Sequence, residues 1–132
     1  MNRAVVILLF TDDKQIVTIS RKNNFNHFGL PGGKVQENET EFEAIIRECK
    51  EEIGIDLSDT LLVPIYSDYE GNYWTTAFIA PNITGELNNL SPEKDTIIKF
   101  QSENEFMECT PFFRYNDVLL DTFQYFMKRQ IV

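Results

Sequence analysis

Between Leu30 and Leu57 the chain reads LPGGKVQENETEFEAIIRECKEEIGIDL, a glycine turn followed by a helix with both ends written out, and this stretch constrains the fold more than any other. From Thr40 to Ile53 no Gly or Pro interrupts, and Phe42, Ile45, Ile46, Cys49 and Ile53 recur at helical spacing, which predicts one amphipathic helix. Thr40 and Glu43 form a capping-box pair, and Gly54 follows the last apolar position, where a left-handed cap is wanted. Glu48, Glu51 and Glu52 stand at i, i+3 and i+4, so their carboxylates converge on one face, opposite Ile45, Cys49 and Ile53. Each like-charge pair at this spacing costs about 0.2–0.5 kcal/mol on an exposed helix. Crowding alone therefore fits a solvated face, with Arg47 pairing with Glu43 and Glu51.

The preceding residues favour a cation site. Pro31-Gly32-Gly33 reads as a tight turn whose glycines permit close backbone approach and leave carbonyls free to face the glutamates. Carboxylates with a backbone carbonyl are hard oxygen donors, suited to Mg²⁺, with Mn²⁺ as the alternative, and unsuited to a thiolate-type zinc site.

These residues resemble the Nudix hydrolase family. Gly33, five residues, Glu39, seven residues, Arg47-Glu48, the apolar Cys49, Lys50, Glu51-Glu52, Ile53, Gly54 and the aliphatic Ile55 match the Nudix box at every spacing across 23 residues. Cys49 is the one soft departure, since the family usually has a larger aliphatic residue there. The resemblance implies an α/β fold, an α/β/α sandwich with a mixed sheet between helices, and metal-dependent cleavage of a nucleoside diphosphate linked to a further group. It implies Glu48, Glu51 and Glu52 as metal ligands, with the Gly32 carbonyl as a fourth. Arg47 is implied to orient a helix glutamate and Glu39 to prop the loop. The attacking water would lose its proton to Glu48, Glu51 or a loop acid; the sequence leaves these open.

Composition sets outer bounds. A 132-residue chain is expected to form a single domain, residues 1–132, and 42% hydrophobic content fits a packed core. A formal charge of −9 argues against duplex nucleic acid as a partner, while leaving a small nucleotide substrate open if a bound cation inverts the local field. Two distant cysteines, Cys49 and Cys109, suit a reducing compartment. The apolar run Ala4 to Phe10 is too short for a signal peptide or a membrane span. The expectation is a cytoplasmic protein, monomeric or homodimeric, without a membrane partner.

Along the chain, Ala4 to Phe10 reads as a central strand buried on both faces, Gln15 to Lys22 as a second strand, and Asn23 to Asn26 as a polar loop. Arg21 is a solvated strand end on its residues alone, and a contact to substrate phosphates by the resemblance. His27, the sole histidine, has no assigned role, and Phe28 is a packing residue. Thr60 to Asp68 and Tyr73 to Ala80 read as strands of a hairpin, with Pro64 pushing the first toward a sheet edge or a bulge. Pro81 to Lys94 reads as a polar, substrate-side loop, Asp95 to Gln101 as a strand, Ser102 to Glu105 as a helix start, and Phe106 to Thr110 as a short turn. Asn116 to Arg129 reads as a closing amphipathic helix with Asn116 as its N-cap.

The resemblance adds one acid from a loop to the metal site, Glu93 first and Asp95 second. It also offers two substrate determinants, Asn116 for a purine edge and Tyr73 for dinucleoside polyphosphates. Three functions follow: a small nucleoside-triphosphate pyrophosphatase, a hydrolase of dinucleoside polyphosphates or capped nucleotides, and a non-catalytic binding module. Intact box glutamates disfavour the last. Gly71 stands where an ADP-ribose-type proline would be expected.

Overall fold

The computed structural model describes residues 2–81, 83, 87 and 89–130. Strand β1 (Arg3–Leu8) runs between β4 (Gly32–Lys34) and β6 (Tyr73–Ile79), and β5 (Val63–Glu70) closes the far side, giving a four-stranded sheet ordered β4-β1-β6-β5. β1 is parallel to β6, from Arg3 opposite Trp74 to Leu8 opposite Ile79, and antiparallel to β4, so the sheet is mixed. A second sheet, β3-β2-β7, joins Asn24–Gly29, Ile16–Arg21 and Ile98–Gln101. The Phe10–Ile16 bridge and the Val17 N–H, donating to the Leu9 carbonyl at 2.9 Å, connect the two sheets.

The apolar run at the N-terminus is explained by its place. Val5, Ile7 and Leu9 join Ile45, Cys49 and Ile53 of α1 (Glu41–Ile53) in one core, while Leu8 joins Phe106 of α2 (Glu103–Cys109) and Leu119 of α3 (Phe113–Gln130) in the other. A strand with a core on each face needs apolar side chains at successive positions. The expected α/β/α sandwich is therefore what forms. Among the described residues no helix is long and apolar enough to cross a membrane.

Several local expectations need correction. Asn24–Gly29 is strand β3 rather than a loop, pairing Ser20 with Phe28 and Arg21 with Asn24 across an irregularity. Gly32–Lys34 is a strand on β1 rather than a tight turn, and a Cβ added to Gly32 would stand 2.0 Å from the Val5 carbonyl oxygen. Pro64 behaves as read: β5 is an edge strand whose register shifts between Pro64 and Tyr66. Residues 103–109 form a full helix, started by a Ser102–Glu105 capping box.

Helix α3 begins at Phe113, so Asn116 is not its N-cap. Asn116 lies buried within the helix, its Nδ2 donating to Thr110 Oγ1 at 3.1 Å. Of the Pro81 to Lys94 stretch, residues 82, 84–86 and 88 lie outside the described residues. The described part is not a free loop. Ile83 and Leu87 are buried beside α1, and the N–H groups of Ser91 and Glu93 donate to the carbonyls of Ile53 and Glu52 at 2.9 and 3.0 Å. Those are end-of-helix carbonyls that α1 itself cannot satisfy.

Candidate active site

The local chemistry of α1 fixes where its glutamates point. Thr40 Oγ1 accepts from the Glu43 N–H at 3.1 Å, Glu43 Oε1 accepts from the Thr40 N–H at 2.9 Å, and Gly54 ends the helix at φ 75°. With Ala44, Ile45, Cys49 and Ile53 buried against the sheet, Glu48 and Glu52 come to lie over the Gly32–Gly33 backbone. The Gly32 N–H donates to Glu52 Oε1 at 2.7 Å. The Glu48 carboxylate rests on Gly33, where an added Cβ would meet its oxygens and carbon within 2.7 Å. A glycine is needed there to leave room for a carboxylate.

Arg47 ties this corner together. Its Nε and Nη2 donate to the two carboxylate oxygens of Glu39 at 2.8 and 3.0 Å, its Nη1 to Glu48 at 2.9 Å and Glu51 at 3.3 Å, and its Nη2 also to the Lys34 carbonyl at 3.0 Å. The expected Arg47–Glu43 pair does not form, because the capping box already occupies the Glu43 carboxylate. Glu39 also accepts from the Gln36 N–H at 2.9 Å, so it braces loop and helix at once.

The electrostatics divide the acids. Arg47 holds the Glu39 carboxyl below its ordinary range. Burial pushes Glu48 up against the pull of Arg47. Glu52 is pushed up to about 8, first by burial and then by the negative charges of Glu48, Glu93 and Glu51, with the Gly32 hydrogen bond opposing. Burial also raises the Cys49 thiol, which keeps it a neutral core group. The Glu51 side chain stays more than half exposed.

Of the two loop acids expected, Glu93 is the one tied to the helix glutamates. Its backbone is bonded to Glu52, its charge acts on the Glu52 carboxyl, and its Oε1 lies 3.3 Å from Lys22 Nζ. Asp95 sits in a left-handed turn at φ 66° and serves through its carbonyl, which accepts from the Asn23 N–H. Arg21 is exposed at the end of β2, and it is the neighbouring Lys22, which the sequence did not single out, that reaches Glu93. Tyr73 starts β6 beneath Lys34 Nζ, 5.2 Å from its ring centre. Asn116 is committed to Thr110.

Among the described residues, no three His, Cys, Asp or Glu side chains stand together closely enough to hold an ion as they are. Arg47 Nη1 holds Glu48 and Glu51, while Lys22 Nζ lies on Glu93. The donor set still fits a hard divalent cation. It consists of oxygens only, two of its carboxyls, Glu48 and Glu52, are raised by burial, with no cation on Glu52 among the described residues, and the Gly32–Gly33 backbone cradles those same two. Two cavities of about 610 and 640 Å³ lie beside the first turn of α1, where Glu39 is in the lining, and between β1 and α3.

The NUDIX domain model matches residues 1–131 of the chain. An ADP-ribose pyrophosphatase from Methanocaldococcus jannaschii is 42% identical over 81 residues, covering 57% of this chain and 48% of that protein, so the match spans about half its length. An 8-oxo-dGTP diphosphatase from Proteus vulgaris is 35% identical over 88 residues, 63% of this chain and 77% of that protein. Among solved structures, a MutT protein from Methanosarcina mazei superposes with a TM-score of 0.69 at 20% identity, over 96% of this chain and 93% of that one.

Proposed function

The chain belongs to the Nudix hydrolase family, and from that premise we propose that it is a Mg²⁺-dependent hydrolase that uses water to cleave nucleoside triphosphates into a nucleoside monophosphate and pyrophosphate. The observation that carries the proposal is the pair of carboxyls, Glu48 and Glu52, laid over the Gly32–Gly33 backbone, with the charge of Glu93 bearing on Glu52. Glu48, Glu51, Glu52 and Glu93 would hold the cation, with the Gly32 carbonyl beside them. Mg²⁺, when bound, supplies charge neutralisation for the pyrophosphate and acidity for the attacking water.

The protein's own residues do the rest. Arg47 fixes the rotamer of Glu48 through a donor shared with Glu51, while its fork on Glu39 keeps the guanidinium from swinging away. Glu48, Glu51 or the loop acid Glu93 accepts the proton of the attacking water. Arg21 and Lys22 stand at the β2 end, where phosphate charge needs partners.

Triphosphates are favoured over ADP-ribose by Gly71. It occupies the hairpin turn at φ 59°, a conformation closed to the proline expected of an ADP-ribose-type enzyme. The diphosphatase relative, matched over most of its own length, points the same way. One domain over residues 1–132 and a cytoplasmic location belong to the same proposal. The test is a panel of nucleoside triphosphates, ADP-ribose and dinucleoside polyphosphates with Mg²⁺, followed by phosphate and pyrophosphate release. Triphosphates should yield pyrophosphate fastest. Preferred cleavage of ADP-ribose or a dinucleoside polyphosphate would reassign the substrate, and no hydrolysis despite cation binding would leave a binding module.

A further inference from the structure

The β2 end and the Glu93 segment are clamped to each other by backbone bonds. Ser20 N–H donates to the Ile97 carbonyl at 2.9 Å, Ile97 N–H donates to Ser20 Oγ at 2.9 Å, and Asn23 N–H donates to the Asp95 carbonyl at 2.9 Å. Glu93 is fixed on its other side by its N–H on the Glu52 carbonyl, and its own carbonyl accepts from Thr96 N–H and Oγ1 at 3.1 and 2.6 Å. These bonds hold the two segments side by side, with Lys22 Nζ 3.3 Å from Glu93 Oε1. The Glu93 carboxylate also bears on Glu52, so the ammonium sits at the rim of the acid cluster.

We propose that Lys22 is a positioning residue, a tethered cation that occupies Glu93 in the metal-free protein and that a divalent ion must displace to recruit this acid. The inference rests on the assignment of Glu93 to the metal site made above. Both side chains are partly exposed, 63% for Lys22 and 37% for Glu93, so the pair is weak enough to exchange. An ammonium on a four-carbon stem is suited to that, since it can leave the carboxylate for solvent or for a substrate phosphate without moving the backbone. Arg47, forked on Glu39, cannot be released so readily.

The test is Mn²⁺ binding without nucleotide, followed by the loss of the free-ion EPR signal, in wild type, Lys22→Met, Glu93→Gln and the double variant, with Lys94→Met as a control for general charge. Lys22→Met should tighten Mn²⁺ binding by about two- to fivefold, the range open to an exposed ion pair. Glu93→Gln should weaken binding, and adding Lys22→Met to it should change nothing further. Lys94→Met should leave affinity near wild type. An effect of Lys22→Met that persists undiminished in the Glu93→Gln background, or that Lys94→Met reproduces, would reduce Lys22 to a source of background field and overturn the proposal. So would unchanged affinity in Lys22→Met. A wild-type protein that binds no Mn²⁺ would instead overturn the metal assignment itself, and this inference with it.

Discussion

Glu52 is a carboxyl placed where a carboxylate is poorly tolerated, which makes its effect on stability opposite to that of most acids. Its folded-state pKa of about 8 stands above the ordinary 4.5. The stability it contributes is therefore fully present below about pH 4.5 and lost as pH rises through 8, because the folded state holds a proton that the unfolded state gives up. Glu52→Gln keeps an oxygen acceptor for the Gly32 N–H and removes the ionisation. In metal-free protein near pH 7 it should stabilise the fold by about 2–3 kcal/mol, and its denaturation midpoint should vary less between pH 5 and 8 than that of wild type. Its catalytic rate should nevertheless collapse. A variant less stable than wild type at pH 7 would show that Glu52 is ionised in the resting protein. Arg47 makes the complementary case. Lysine keeps the charge of Arg47 but cannot span Glu39 and Glu48 together, so Arg47→Lys should lower kcat at least tenfold, about 1.4 kcal/mol of barrier. A rate within about twofold of wild type would leave Arg47 an ordinary ion pair.

Two adjacent glycines in β4 differ in what they face, and so they should fail differently. A methyl group on Gly32 would meet backbone, the Val5 carbonyl oxygen at 2.0 Å, which cannot move without breaking the β1–β4 pairing. A methyl group on Gly33 would meet the end of the Glu48 side chain, which can rotate away. Gly32→Ala should cost several kcal/mol or fail to fold, on the order of the largest single-site effects. Gly33→Ala should unfold within about 1 kcal/mol of wild type by urea titration and yet lose Mn²⁺ affinity and turnover. Equal damage to stability from both would mean that Glu48 is rigidly held. The sequence made α1 legible because its signals are local: a capping box, a helical apolar period and a terminal glycine all lie within fifteen residues. Strands β3 and β4 were missed because theirs are not. Asn24–Gly29 carries three polar residues on a sheet edge, and Gly32–Lys34 becomes a strand only through a partner about 28 residues earlier. The Arg47–Glu39 fork was hidden for the same reason, while Glu43, four residues away, looked the better partner. The N-cap was placed four residues too late, at Asn116, because α3 opens on Phe113 and Arg114, which carry no capping signal.

At the scale of the whole molecule, 21 acids against 12 basic residues leave a formal charge of −9, and the fold places two of those acids, Glu52 and Glu48, against Gly32 and Gly33. A protein built this way should be stabilised by the cation it binds. An ion at 100 times its Kd adds about 2.7 kcal/mol to the folded state, and for a chain of this size that raises Tm by roughly 8–10 °C. The pH dependence follows from Glu52. Below about 8 its carboxyl holds a proton that a cation must displace, so binding should release protons and strengthen as pH rises. Thermal melts with and without Mg²⁺ at pH 6, 7 and 8 would measure this directly. At a fixed Mg²⁺ concentration the increment in Tm should grow from pH 6 to pH 8 in wild type. In Glu52→Gln, which has neither the proton nor the anion, it should be smaller at pH 8 and nearly flat with pH. The two proteins should therefore converge at low pH and diverge at high pH. A Tm increment that is independent of pH in wild type and unchanged in Glu52→Gln would place the cation elsewhere on this acidic surface and remove Glu52 from its ligands.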